Sequence, residues 1–282
     1  MALVVSGCTA PSPEAPAPTP TPRAVEVTPS AQESFADDFA TQFPDLLDYA
    51  GVGVAGTGVP GAPLVAGDRV PRPALGTLTL PLGLAALNRT NDATLAALAR
   101  AAAADPRSPA VAQLWARLGG GDTANFAVQR TLNKESIAPG IVDEPTSGGT
   151  LAASGFGRSA WDVGESALFA ASVPCRPGGN ALLAARGLAA RESTLGPAAQ
   201  IVYRDVGTVE GGQVLLRRFA VVTRHGRLGS VAMSVRARDE ASADQVVARI
   251  ETWLAQRIDS LPRGTCAGRG KRRTPTTVPS SF

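Results

Sequence analysis

Residues 74–87 read Ala74-Leu75-Gly76-Thr77-Leu78-Thr79-Leu80-Pro81-Leu82-Gly83-Leu84-Ala85-Ala86-Leu87, without a single charge. Beyond its first turn the run is apolar on every side, and a helix of that kind sits inside a protein with other elements packed around it. Pro81 is tolerable only near a helix start, where its missing N–H has no partner to lose. The spacing therefore predicts a helix from Gly76 or Thr77 to Leu87 or Asn88. At 14 residues the stretch is shorter than the roughly 20 a bilayer span needs. The chain is organised around a buried helix.

Outward from this helix the pattern is mixed. Upstream, Phe35, Phe39, Phe43, Leu46, Leu47 and Tyr49 recur at helical spacing over Glu33 to Ala50, with Pro44 placed to kink or split the element. Two short β-like runs follow, Gly51 to Ala55 and Pro63 to Asp68, around a Gly/Pro turn. Downstream, Asp92 to Leu118 is Ala-rich and helical, interrupted by Pro106-Arg107-Ser108-Pro109 and ending on Gly119-Gly120. Ser108 or Asp105 can cap the second half. Further helices are expected over Asn125 to Leu132, Trp161 to Pro174 and Ala181 to Ala190. The polar, Gly-rich stretch from Asn133 to Gly157 reads as a long loop, with Asp143 and Glu144 the acids at its middle. From Gln200 the period changes to two. Gln200 to Val206, Gln213 to Thr223 and Leu228 to Arg238 read as strands, the last two joined by a turn at Arg224-His225-Gly226-Arg227. A closing helix over Ser242 to Ile258 carries Val246, Val247, Ile250, Trp253, Leu254 and Ile258 on one stripe.

Composition narrows the chemistry. The 282 residues, 44% hydrophobic and 18% charged, suffice for a large core, and a net charge of +3 makes no case for nucleic acid. The basic run Gly270-Lys271-Arg272-Arg273 lies in a polar tail and is a weak signal. One histidine, His225, sits in the predicted hairpin turn, away from any Ser-His-Asp arrangement. Ser154-Gly155-Phe156-Gly157-Arg158 fails as a nucleophile elbow because its Ser precedes the first glycine. Scattered Cys and a lone His argue against a metal site, and no cofactor motif is present.

The central run, the Leu114-Trp115 and Leu118-Gly119-Gly120 pairings, and the element order together resemble the class A β-lactamase and D,D-peptidase family. That resemblance implies an α+β fold in which residues 33–70 and 196–262 build an antiparallel sheet with covering helices, and residues 71–195 form an inserted all-α domain. In the family the buried helix opens with Ser-x-x-Lys, the acylated nucleophile and its activating amine. Those positions here are Gly76 and Thr79. The proton-relay Ser-Asp-Asn falls on Pro106, Arg107 and Ser108. The Lys-Thr-Gly strand corresponds to Tyr203-Arg204-Asp205-Val206-Gly207, where Arg204 keeps a positive charge and Asp205 replaces the hydroxyl. The resemblance thus implies the helix without its chemistry.

The termini carry separate signals. Val5-Ser6-Gly7-Cys8 resembles the end of a bacterial lipoprotein signal (residues 1–8), which makes Cys8 the expected lipid attachment point and the alternative an incidental thiol. Residues 9–32 are Pro-rich, cannot bury a core, and as polyproline II would reach roughly 70 Å. Residues 263–282 read as a polar, disordered tail. With Cys8 lipidated, Cys175 and Cys266 remain as an even pair for a disulfide in an exported chain, the alternative being two buried thiols. Closing a loop of about 90 residues stabilises by at most roughly 4–5 kcal/mol. The expected function is a non-catalytic lipoprotein, exported and anchored to the outer face of the cytoplasmic membrane, that binds or scaffolds peptidoglycan or an envelope protein. The alternatives are a serine hydrolase with a displaced nucleophile at Ser108 or Thr77, and a ligand-binding lipoprotein feeding a transporter.

Overall fold

The computed structural model describes residues 29–89, 92–134, 159–187, 195 and 199–266. Cys8, most of the Pro-rich spacer, the loop with Asp143 and Glu144, and the basic tail run lie outside them. Among the described residues no helix is long and apolar enough to cross a membrane.

Helix α1 (Pro29–Gln42) leads into strands β1 (Ala50–Gly56), β2 (Leu64–Gly67) and the two-residue β3 (Arg72–Pro73). A 3₁₀ turn, Leu75–Leu78, opens α2 (Thr79–Leu87), which is followed by α3 (Ala93–Ala104), α4 (Ala110–Arg117) and α5 (Gly121–Asn133). Then come β4 (Ala160–Trp161), α6 (Val163–Ser172), a 3₁₀ turn at Val173–Cys175 and α7 (Gly179–Gly187). The long strands β5 (Ala199–Thr208), β6 (Val214–Arg224) and β7 (Arg227–Ala237) precede α8 (Glu240–Gln256).

Two boundaries and one class differ from the sequence reading. Helix α1 starts at Pro29, inside the stretch read as spacer, because Pro is well suited to a first helical turn. The tail is ordered to Cys266, since Gly264 pairs with Leu228 through two backbone hydrogen bonds of 2.8 Å. The inserted part is not wholly helical, because β3 and β4 pair across it, Arg72 opposite Trp161.

The five-stranded sheet is antiparallel with order β2-β1-β7-β6-β5. It therefore joins strands from both ends of the described chain. The β6–β7 turn is two residues, His225 and Gly226, both at positive φ, a type I′ geometry that suits a twisted hairpin. The edge strand β2 is closed by a side chain: Gln32 of α1 accepts from the Val65 N–H and donates to the Val65 carbonyl, at 2.9 and 2.8 Å. That amide occupies hydrogen-bonding groups that another chain could otherwise pair with.

Alternation along the strands divides the core in two. On the outer face Leu216, Ala220, Val231, Met233 and Val235 pack under α1 and α8, where Phe35, Phe39 and Phe43 surround Trp253 at centroid distances of 5.2 to 5.9 Å. On the inner face Phe219, Val221 and Ala232 join the helical cluster, whose centre is Leu78, Leu80, Leu82 and Leu84 of the central run, all fully buried.

Candidate functional site

The mouth of α2 is where the resemblance placed its three catalytic segments, and the structure brings parts of all three together. Ala74 and Leu75 lead into the 3₁₀ turn, and Leu75 holds φ at +51°. For a bulky side chain that backbone costs on the order of 1–3 kcal/mol and survives only where the surroundings impose it. Such strain clusters at functional sites.

Gly76 follows, and its backbone N–H donates to Asp205 Oδ2 at 2.5 Å. Asp205 is 5% exposed and projects from β5, 129 residues away. The first N–H groups of a helix lack intrahelical acceptors and favour an anion. Asp205 thus acts as a cap supplied by a distant strand. Arg107 closes over it from outside: its Nη2 lies 3.8 Å from Asp205 Oδ1 and 3.4 Å from the Val206 carbonyl, with the side chain half exposed. The Arg107 backbone N–H is held by Asp105 Oδ1 at 2.9 Å, which fixes the turn before α4.

The space at Gly76 is filled. A Cβ placed there would lie 2.3 Å from Pro106 Cβ and 2.6 Å from Asp205 Oδ2, closer than real Cβ contacts come. A serine at this position therefore needs Pro106 and Asp205 to move. Acyl transfer through a serine also needs hydrogen-bond donors left free for the oxyanion. Here the Gly76 N–H already serves a carboxylate.

The remaining expected residues divide between the site and other tasks. Thr79 Oγ1 donates to the Gly76 carbonyl at 2.8 Å, and Thr77 Oγ1 donates to the Ala74 carbonyl, so both hydroxyls bond the turn that bears them. Ser108 Oγ accepts from the Ala110 N–H at 3.2 Å within the turn before α4, whose N-cap is Pro109. Arg204 is a correction. The resemblance aligns it with the cleft lysine, yet it faces the other side of the sheet, where Nη2 meets Glu240 at 2.6 Å and Asp244 at 2.8 Å on α8. Successive residues of a strand point to opposite faces, so with Asp205 turned inward Arg204 must turn outward. His225 sits exposed at the hairpin tip.

One residue was not anticipated. Arg217 of β6 stands opposite Asp205 in register and is fully enclosed on the inner face, where Nη2 donates to the Trp161 carbonyl at 2.6 Å and lies 3.4 Å from Ser166 Oγ. Burial brings its guanidinium down to about 10, although Asp162 and Glu165 oppose that shift. Burial likewise raises the Glu165 carboxyl, half-enclosed beside it in the capping box of α6. The sequence signal is the pair Arg217-Arg218 within an otherwise apolar strand, Leu215 to Val222.

Comparison with solved structures gives the same frame. An ancestral class A β-lactamase superposes with a TM-score of 0.55 at 17% identity, covering 79% of this chain and 99% of its own. The TLA-3 extended-spectrum β-lactamase gives 0.58 at 11%, covering 80% and 99%, and a β-lactamase from Xanthomonas campestris gives 0.56 at 14%, covering 80% and 98%. The fold is β-lactamase-like. At these identities the likeness concerns architecture alone. The sequence matches no protein-family model and none of the curated proteins compared with it. Within the β-lactamase-like frame, Cys175 and Cys266 form a disulfide with a Cα–Cα distance of 5.2 Å, joining the turn after α6 to the last described residue.

Proposed function

We propose that this protein is a non-catalytic member of the cell envelope, a lipoprotein that uses a β-lactamase-like fold for binding or scaffolding at the cell wall. The observation that carries the reading is the filled space at Gly76, where Pro106 and Asp205 stand in the place of a nucleophile's side chain. The Asp205 carboxylate on the Gly76 N–H adds to it, since an anion already holds the donor that an oxyanion would need. Thr77 and Ser108, the displaced nucleophiles considered above, are engaged in local turns, and the single histidine is at a hairpin tip. These engagements favour the binding reading over hydrolysis. The partner is peptidoglycan or an envelope protein, reached from a lipid on Cys8 through the Pro-rich segment.

The catalytic half is tested by nitrocefin turnover with the full chain. No hydrolysis above the buffer rate is expected, and turnover that survives repurification contradicts the reading. The anchoring half is tested by detergent partitioning of the protein expressed with its full upstream signal. The wild type is expected in the detergent phase and Cys8→Ala in the aqueous phase; identical partitioning removes the lipid assignment.

A further inference from the structure

The Cys175–Cys266 bridge is more than a staple between two loops. Its two sides open onto surface cavities. One, of about 550 Å³, is lined by both cysteines with Arg176, Pro177 and Asn180. The other, of about 350 Å³, is lined by Cys175, Arg176, Ser172 and Lys134. Arg176 is common to both and is held in place, its Nε donating to Ser172 Oγ at 3.2 Å and its Nη1 to the Thr131 carbonyl at 3.0 Å. Arg176 thus gives both cavities beside the bridge a fixed positive charge.

What the bridge holds down is a strap. Residues 261–266 cross the end of β1 and β7 in an extended path, with Leu261 buried under the sheet's outer core and Gly264 paired to Leu228. The fit is close. A Cβ on Gly264 would lie 2.3 Å from the Thr57 carbonyl oxygen, and one on Gly229 would lie 2.7 Å from the Pro262 carbonyl oxygen. After the Leu228–Gly264 pair, Thr265 alone separates the strap from its covalent tie at Cys266.

We propose that Cys175–Cys266 is a redox-sensitive clasp, the target of a dithiol oxidoreductase that enters through these two cavities. The donor's first thiolate attacks Cys266 Sγ. The S–S bond breaks and its electron pair leaves on Cys175 Sγ. The donor's second thiol loses its proton to solvent and attacks the mixed disulfide, releasing Cys266 as a thiolate. The donor ends as a disulfide and the protein as two thiols, a balanced two-electron exchange. Reduction frees residues 262–266 from the end of β1 and β7 and leaves the rest of the sheet paired.

The test uses the oxidised full-length protein with dithiothreitol and a catalytic amount of thioredoxin, followed by alkylation, mass spectrometry and hydrogen exchange. Both cysteines are expected to be alkylated without denaturant. The Leu228 and Gly264 amides should then exchange roughly a hundredfold faster, while the amides of α8 and central β6 keep their protection. Cys266→Ser should show the same local pattern without any reductant, and Arg176→Gln should slow the thioredoxin-dependent step severalfold relative to reduction by dithiothreitol alone. A bridge that resists reduction until the protein unfolds overturns the proposal. So does reduction that leaves the Leu228 and Gly264 amides protected, or that raises exchange uniformly across the sheet.

Discussion

The two faces of the β5–β6 pair each carry two charged residues in register and use them differently. On the outer face Arg204 and Arg218 stand in register and meet carboxylates of one helix: Arg204 reaches Glu240 and Asp244, and Arg218 reaches Glu251 at 2.9 Å. On the inner face Asp205 and Arg217 also stand in register, yet each turns to another element. Asp205 takes a backbone N–H at the start of the central helix, and Arg217 takes the Trp161 carbonyl. The outer arrangement ties a helix to a sheet. The inner one buries an arginine against carbonyl and hydroxyl partners, which is a poor way to gain stability. Asp205, opposite it in register, meets the filled space at Gly76, next in the chain to the strained Leu75. Charge buried at a cost to stability marks a functional or strained position in a fold.

Breaking each face in turn sharpens that contrast. The largest effect is expected on the outer face. Glu251→Ala removes a carboxylate that is 1% exposed from a buried arginine, and should cost about 3–5 kcal/mol in denaturant unfolding. A cost near zero would mean that Arg218 finds solvent instead.

The next effect belongs to the inner face. Gly76→Ala presses a methyl on Pro106 and Asp205 and should cost about 1–3 kcal/mol, the range for overpacking. Combining it with Pro106→Gly should return part of that cost, so the double-mutant cycle gives a coupling clearly different from zero. Additive effects would show that the space at Gly76 is not shared.

The smallest effect is electrostatic. Burial raises the Glu165 carboxyl above its ordinary 4.5, so the folded protein keeps a proton that the unfolded chain has lost. Stability from this group therefore declines as pH rises from 4.5 through the raised folded value. Glu165→Gln keeps the capping acceptor and loses that decline. The variant should gain thermal stability relative to wild type between pH 4 and pH 7, by a small amount because the group is half-exposed. An unchanged difference across that range would remove the assigned cause.

The frame was legible because it rests on local signals. The apolar run at 74–87, the two-residue turn at His225-Gly226 and the change of period after Gln200 each act within a few residues, and each marks the element found there. The disulfide was legible by counting cysteines. The site was legible in part. Gly76, Pro106 and Asp205 were singled out from their positions, but that their atoms fill one space depends on contacts across 129 residues. The orientation of Arg204 was missed because a register change of one residue exchanges the faces of a strand, and no local pattern fixed the register of β5. The role of Arg217 was hidden for a related reason: a charge inside an apolar strand marks burial, while its partners, Trp161 and Ser166, come from a distant segment.

The central claim of the proposed function is that the mouth of α2 does not carry out acyl transfer. Intact-mass spectrometry of the full chain after prolonged incubation with benzylpenicillin tests it most directly. The account predicts unmodified protein, with the Gly76→Ser, Thr79→Lys double variant remaining largely unmodified as well. A stoichiometric penicilloyl adduct on the wild type, mapped to any Ser or Thr near Gly76, would contradict it.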